Sequence, residues 1–358
     1  MTSVMRVSLR QLTEGDMPTA EDIRACFDAI MNGEVSQIQM ASFLTALKMR
    51  GERVEDIAAA ASVMREKATV IEAPEGAMDI VGTGGDGIGT YNISTATAFV
   101  VAGCGVPVAK HGNKAVSSKS GAADVLSCLG INLDCEMATV RRALDDAGIC
   151  FLMAPRHHSA MRHVAPVRAD LGLRTIFNML GPLANPALVR RIMVGVFAPD
   201  LCAPFAAALS KLGTTHAWVV HGDSGLDEVS TTGPTHVAAL RNGAIEEFTI
   251  SPDDLGLATA SIDDLRGGSP EENAASLRAV LDGAAGPYRD IVIFNAAAAL
   301  VGGGHASTLQ EAAARAIESI RAGKAMAALD NLVTITSSDT TNSDAANNET
   351  ANNEIGSA

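Results

Sequence analysis

The segment MDIVGTGGDGIGTYNIST, residues 78–95, decides how the chain is organised. A short apolar run at its start stops at a cluster of five glycines, and NIST, residues 92–95, then predicts the beginning of a helix. A strand, a glycine-rich turn and a helix in this order direct backbone N–H groups and the positive end of a helix dipole towards an anion. The segment therefore predicts phosphate binding.

Outward from this segment, short β-branched runs alternate with Ala-rich helical segments as far as about residue 222. This alternation is typical of a parallel sheet covered by helices on both faces. Residues 228–250 alternate apolar and polar side chains around Asn242-Gly243, which predicts an antiparallel hairpin. Three helical segments follow. We therefore expect an α/β domain with a mostly parallel central sheet over residues 76–332.

The two ends of the chain differ from this pattern. Residues 8–70 show helical periodicity without a strand signal, so we expect a small all-helical domain over residues 1–75, joined by helices from residues 160–187. Residues 333–358 are rich in Ser, Thr, Asn and Asp and predict a disordered tail.

Composition limits the function further. The 358 residues are 47% hydrophobic, which is enough for a substantial core, and the formal net charge of −14 disfavours nucleic acid and anionic membranes as partners. The six cysteines form no C-x-x-C pair, and we find no signal peptide and no apolar run long enough to span a membrane. We expect a cytoplasmic protein.

The glycine turn fits two phosphate-binding motifs only in part. Gly82 to Gly87 satisfies G-x-G-x-x-G, but the dinucleotide fingerprint requires an acid about 20 residues later, where the next predicted strand ends in Lys110. A P-loop requires Gly-Lys-Ser or Gly-Lys-Thr, and Gly89 is followed by Thr-Tyr. The turn alone does not distinguish tight packing from anion binding.

Two further loops favour a phosphate. KHGNKAVSSKSG, residues 110–121, follows the next strand and supplies three lysines with small hydroxyl residues; its alternative interpretation is a solvated basic loop. HGDSGLDE, residues 221–228, ends in the adjacent carboxylates Asp227 and Glu228, which could hold Mg²⁺ or form a solvated turn.

Arg168 is suited to bind a substrate carboxylate, although a surface salt bridge would explain it equally well. The sequence contains no nucleophile–base arrangement, so we expect catalysis by positioning and metal electrostatics.

In this order and spacing, GTGGDGIGTYNIST, KHGNKAVSSKSG, APVRADLGLRTIFNMLGPLANP and HGDSGLDEVS resemble the anthranilate phosphoribosyltransferases. These enzymes belong to the nucleoside-phosphorylase-like phosphoribosyltransferases. The resemblance covers about residues 8–332. It implies an enzyme of L-tryptophan biosynthesis, a homodimer formed through its helical domains, that uses Mg²⁺ to transfer a phosphoribosyl group from 5-phosphoribosyl diphosphate to anthranilate. The alternatives are a pyrimidine-nucleoside phosphorylase and a non-catalytic nucleotide-binding member of the same fold.

The resemblance also implies a set of site residues. Those at the phosphoribosyl diphosphate are Gly82, Gly85, Asp86, Thr90, Asn92, Ile93, Ser94, Thr95, Lys110, His111, Gly112, Asn113, Lys114, Ala115, Val116, Ser117, Ser118 and Ala122. Those at Mg²⁺ are Ser94, Asp227 and Glu228. Asn113 and Arg168 would meet anthranilate, with Gly82 at the junction of the two substrates and His158 along the path to it. Two positions depart from the family pattern: Ala122 replaces a common serine, and Ser159 replaces a common proline.

Overall fold

The computed structural model describes residues 3–85, 87–114 and 120–338. Its N-terminal part is helical, as the sequence predicts. The helices are α1 (Ser3–Glu14), α2 (Ala20–Met31), α3 (Gln37–Arg50) and α4 (Val54–Glu66).

A seven-stranded sheet forms the centre of the remaining chain. Its strands are β1 (Met78–Gly82), β2 (Val108–Gly112), β3 (Ile149–Met153), β4 (Arg191–Gly195), β5 (His216–Gly222), β6 (Thr235–Arg241) and β7 (Ala244–Ile250). The strand order is β3-β2-β1-β4-β5-β6-β7. Strands β1 to β5 are parallel to one another, whereas β6 pairs antiparallel with both β5 and β7. The expected fold class and the hairpin around Asn242-Gly243 are confirmed, and both residues of that turn have positive φ.

Helices connect these strands and close the chain. They are α5 (Ile93–Gly103), α6 (Ala122–Cys128), α7 (Met137–Asp146), α8 (Ala154–His157), α9 (Ala165–Leu171), α10 (Phe177–Leu183), α11 (Cys202–Lys211), α12 (Pro270–Leu281), α13 (Pro287–Gly302), α14 (Leu309–Arg321) and α15 (residues 324–338). Across the ranges that the structure describes, none of the helices is long and apolar enough to cross a membrane.

Alternate side chains of the sheet enter two separate apolar clusters. On β4, Ile192 and Val194 pack with the N-terminal helices and α11, whereas Met193 packs with α5, α13 and α14 on the other face. This is the period of two expected for a strand buried on both faces. The segment with α9 and α10 belongs to the first cluster, where the ring of Phe177 lies 5.5 Å from that of Phe27.

The boundary expected for the disordered tail is wrong for residues 333–338, which continue α15. Thr336 is buried, and its hydroxyl accepts a hydrogen bond from the backbone N–H of Asn132 at 3.2 Å. Ile335 packs against the core, so this end of the helix is held by tertiary contacts that composition does not reveal. Residues 339–358 lie outside the described part of the chain.

Candidate active site

The three predicted loops lie at one edge of the sheet. Strands β1, β2 and β5 run parallel, so the glycine turn at residues 82–89, the loop after β2 and the loop after β5 all follow carboxyl ends of strands. This edge is the usual ligand-binding crevice of an open α/β sheet.

Asp227 reaches the glycine turn because two glycines leave room for it. A Cβ atom on Gly82 would overlap the Asp227 carboxylate, and one on Gly195 would overlap the main-chain carbonyl of Asp227. Oδ2 of Asp227 accepts a hydrogen bond from the N–H of Gly84 at 2.7 Å. Gly84 has φ +67°, in the region that glycine adopts without strain. The acidic loop and the glycine turn are thus one structural unit.

Glu228 lies at the N-terminus of α5. Its Oε1 accepts the N–H of Ser94 at 3.0 Å, in the first turn, where unpaired N–H groups and the helix dipole favour a negative charge. The helix start predicted at NIST, residues 92–95, is confirmed, and Asn92 is the N-cap residue of α5. Its side chain makes no capping hydrogen bond, because its Oδ1 accepts one from Asn273 instead.

These contacts place the Asp227 carboxylate at the glycine turn, and the Glu228 carboxylate and the Ser94 hydroxyl at the start of α5; all three are hard oxygen donors. Oxygen ligands suit Mg²⁺, which proteins often bind through one or two carboxylates together with substrate phosphates. Among the described residues there is no group of three or more His, Cys, Asp and Glu that could hold a metal by itself. Two carboxylates and one hydroxyl leave coordination positions that phosphate oxygens could fill, so these donors fit an ion shared with a phosphorylated ligand.

Lys110 is buried, unlike a lysine on a solvated basic loop. Its Nζ donates to the carbonyl oxygen of Ile80 at 2.6 Å and to Oγ of Ser94 at 3.3 Å. Burial lowers the pKa of this ammonium, and the carboxylates of Asp79, Glu228 and Asp227 oppose that shift. The Lys110 nitrogen is thus buried directly behind the helix start.

Asp79 on β1 contributes to the electrostatic environment of Lys110. Its carboxylate is fully buried. It accepts one hydrogen bond from the backbone N–H of His111 at 3.1 Å and another from Nδ2 of Asn185 at 2.7 Å. Burial raises the pKa of Asp79 to about 6, although Lys110 acts in the opposite direction. Asp79 and Asn185 together fix the positions of β1 and β2 beneath the site. Sequence reasoning missed both residues; an acid inside the apolar run MDIV was the available signal for Asp79.

Two histidines form a buried aromatic pair. The ring centres of His111 and His158 lie 5.2 Å apart, and Nδ1 of His111 lies 3.1 Å from the carbonyl oxygen of Gly181. Burial lowers the pKa of His111 to about 3 and that of His158 to about 4, so both rings are neutral at pH 7. Neutral, buried rings are suited to line an apolar pocket.

Arg168 is half-buried on α9, with its Cζ 6.0 Å from the centre of the Phe177 ring. Burial lowers the pKa of its guanidinium, and no carboxylate contributes to its electrostatic environment within the described residues. Within the described part of the chain, the structure therefore does not support the surface salt bridge, which was one of the two interpretations of Arg168.

Arg174 contacts the glycine turn, which sequence reasoning did not predict. It follows α9, and its guanidinium donates to the carbonyl oxygen of Gly85 and stacks on Phe197, with Cζ 4.3 Å from the ring centre. The available sequence signal for Arg174 was its position within the motif APVRADLGLRTIFNMLGPLANP.

The other predicted residues have different exposures. Asn113 and Lys114 are exposed, Thr90, Gly112 and Ala122 are half-buried, and Ile93 and Thr95 are buried. A substrate contact of Ile93 would therefore have to use its main chain. Asp86, Ala115, Val116, Ser117 and Ser118 lie outside the described residues.

Comparison with known protein families defines the class. Residues 7–68 match the helical bundle domain of a glycosyl transferase family, and residues 74–326 match the a/b domain of that glycosyl transferase family. The chain is 56% identical to the anthranilate phosphoribosyltransferase of Parvibaculum lavamentivorans, over 92% of this chain and 96% of that protein. It is likewise 56% identical to that of Rhodospirillum rubrum, over 91% of this chain and 92% of that protein.

Solved structures agree with these relatives. The crystal structure of anthranilate phosphoribosyltransferase from Thermus thermophilus has a TM-score of 0.87 at 42% identity, covering 92% of this chain and 99% of that one. The Saccharomyces cerevisiae enzyme in complex with PRPP and Mg has a TM-score of 0.86 at 30% identity, covering 94% and 99%. The chain belongs to the anthranilate phosphoribosyltransferase family, as its four motifs predict.

Proposed function

We propose that this protein transfers the 5-phosphoribosyl group of phosphoribosyl diphosphate to the amine of anthranilate. The products are N-(5-phosphoribosyl)anthranilate and diphosphate, a step of L-tryptophan biosynthesis. One structural observation supports this most directly: Asp227 and Glu228 bind the N–H groups of Gly84 and Ser94 at 2.7 and 3.0 Å. The acidic loop thereby meets the glycine turn and the helix start, as a metal–diphosphate site requires.

In this proposal the leaving diphosphate lies against the glycine turn and the N-terminus of α5, near the buried side chain of Lys110. Mg²⁺, when bound, would neutralise charge that develops on the diphosphate as its bond to the ribose breaks. Ser94, Asp227 and Glu228 would hold the ion. The main chain of the turn approaches the anion closely because its glycines carry no side chains.

Anthranilate requires positioning rather than deprotonation, because its aromatic amine is weakly basic and attacks as the neutral nucleophile. Arg168 would bind its carboxylate, and Asn113 and the neutral pair of His111 and His158 would line its pocket and exclude water. Binding both substrates in one oriented arrangement converts a bimolecular reaction into an effectively unimolecular one. The helical domain in this proposal comprises residues 1–75 with helices from residues 160–187, and the α/β domain begins at residue 76. Closure of these two domains would bring the substrates together between them.

The helical part offers a surface for homodimer formation in the cytoplasm. Ile38 and Met49 on α3 are 80% and 83% exposed, and Val7 on the neighbouring α1 is 44% exposed. Large apolar side chains clustered on one surface are typical of a protein contact. Light scattering should give a dimer mass for the wild type and a smaller mass for Ile38→Glu combined with Met49→Glu. A wild-type monomer at assay concentration would contradict the dimer.

The activity can be tested by mixing the protein with Mg²⁺, anthranilate and phosphoribosyl diphosphate and following the loss of anthranilate fluorescence. We expect a decrease that requires all three components. Parallel reactions with thymidine or uridine and inorganic phosphate test the nucleoside phosphorylase alternative, for which release of a free base would be the sign. Binding of phosphoribosyl diphosphate without turnover in either assay would indicate a non-catalytic member of the fold.

A further inference from the structure

Arg174 connects two parts of the site that are far apart in sequence. Its guanidinium donates a hydrogen bond to the carbonyl oxygen of Gly85 and stacks on the ring of Phe197 at 4.3 Å. Gly85 follows β1, and Phe197 follows β4, the strand paired with β1. The guanidinium therefore spans the carboxyl ends of two neighbouring strands.

The backbone of Arg174 is anchored on the helical side. Gly172, at φ +60°, ends α9, and the N–H of the buried Thr175 donates to Oδ1 of Asn178 at 3.0 Å. Phe177 is buried in the cluster that contains the N-terminal helices. Arg174 is thus an exposed side chain on a fixed segment, six residues beyond Arg168.

The glycine turn needs support from outside itself. Gly84 and Gly85 both have positive φ, at +67° and +79°, and have no side chains that could restrict the backbone. Glycine has the greatest backbone freedom of any residue, so holding this conformation requires contacts from elsewhere in the chain. Asp227 binds the N–H of Gly84, and Arg174 binds the carbonyl oxygen of Gly85. Two side chains from different segments of the chain thus bind consecutive residues of the turn.

We propose that Arg174 is a positioning residue that holds the Gly84-Gly85 backbone ready for phosphoribosyl diphosphate. It also couples that backbone to the segment carrying Arg168. The proposal rests on the proposed function for the identity of the substrate. Arginine suits the role because its planar guanidinium can stack on an aromatic ring and donate a hydrogen bond in its own plane, which the ammonium of lysine cannot do.

The test compares Arg174→Ala and Arg174→Lys with a matched control, Arg190→Ala. Arg190 is also exposed and also donates to a glycine carbonyl, that of Gly213 at 3.0 Å, but at the amino ends of the strands. Two quantities are measured: hydrogen exchange of peptides containing Gly84 and Gly85 in the free protein, and the KM for each substrate.

We expect Arg174→Ala to speed exchange in the turn and to raise the KM for phosphoribosyl diphosphate about 10-fold, as expected from losing one charge-assisted hydrogen bond. The kcat should change less than twofold, since the reacting atoms keep their contacts. Arg174→Lys should resemble Arg174→Ala, and Arg190→Ala should resemble the wild type. Phe197→Leu removes the ring instead and should shift both quantities in the same direction by a smaller factor.

A raised KM with unchanged exchange would mean that Arg174 binds the substrate directly, and would overturn the positioning role. Unchanged values of both quantities, or full recovery with lysine, would overturn it as well. Exchange in the free protein does not depend on turnover. If the wild type fails to use anthranilate, the proposed function fails, while the exchange measurement still tests the support of the turn by Arg174.

Discussion

Arg168→Ala separates binding of anthranilate from every structural role of this arginine. The guanidinium is half-buried without a carboxylate contributing to its environment in the described part of the chain, so its charge is partly desolvated and uncompensated. A bidentate charged pair with a substrate carboxylate at such a position should contribute about 3 kcal/mol. Its loss predicts an increase of about 100-fold in the KM for anthranilate.

The same geometry predicts little effect on folding. Removing the side chain leaves no carboxylate partner unpaired within the described residues, and its contact with the Phe177 ring is a distant one, at 6.0 Å. The free energy of unfolding should change by less than about 1 kcal/mol. Arg162→Ala is the matched control: Arg162 is exposed on the same segment and donates to the carbonyl oxygen of Ser159.

The assay is steady-state fluorescence, with each substrate varied while the other is saturating, together with urea unfolding of each variant. We expect the KM for phosphoribosyl diphosphate to change less than threefold in Arg168→Ala. An equal rise in the KM for both substrates would refute the reasoning, as would a loss of stability of several kcal/mol, because either result gives Arg168 a general role.

Three further predictions concern the metal site and the buried histidines. Asp227→Asn combined with Glu228→Gln should abolish magnesium-dependent turnover, whereas Asp223→Asn in the same loop should not; activity retained by the double variant would remove the metal assignment. Gly82→Ala should weaken Mg²⁺ binding about 10-fold by calorimetry because a Cβ there overlaps the Asp227 carboxylate, a loss of about 1.4 kcal/mol; unchanged affinity would contradict this. Since the pKa of His158 falls from 6.5 to about 4 on burial, its contribution to stability is present above pH 6.5 and is lost towards pH 4. Acidification from pH 7 to pH 5 should therefore cost about 2 kcal/mol through this group, and urea unfolding of His158→Gln should show a correspondingly weaker pH dependence; identical slopes would show that burial of this ring does not set the dependence.

Local sequence signals predict much of this fold. Glycine-terminated β-branched runs predict the strands, and Asn242-Gly243 predicts the hairpin, because both patterns reflect backbone geometry within a few residues. The shared edge of the loops follows from the parallel order of β1, β2 and β5, which alternation with helices implies. Asp227 and Glu228 could be selected for the same reason, since their loop follows a strand of that sheet.

What the sequence does not reveal depends on distant partners. The sequence locates the helix start at Asn92, but it does not reveal that the Asn92 side chain pairs with Asn273, which lies 181 residues further along the chain. Lys110 looks like a solvated loop residue, yet Ile80 and Ser94 bind its ammonium inside the protein. No local pattern gives these pairings, because each is created when separate segments pack together.

The end of the chain gives the same lesson. Composition predicts a tail from residue 333, whereas the hydroxyl of Thr336 is buried against Asn132. Tertiary hydrogen bonds from Asn132 and Arg142, together with the packing of Ile335, extend the helix beyond the point at which a polar sequence would predict its end.

Product analysis tests the central claim most directly. The wild-type protein is incubated with Mg²⁺, anthranilate and phosphoribosyl diphosphate, and the quenched mixture is analysed by mass spectrometry and phosphorus NMR. Phosphoribosyl transfer predicts N-(5-phosphoribosyl)anthranilate and diphosphate in equal amounts, each matching the anthranilate consumed. Diphosphate released without the N-glycoside, or anthranilate left unchanged, would contradict it.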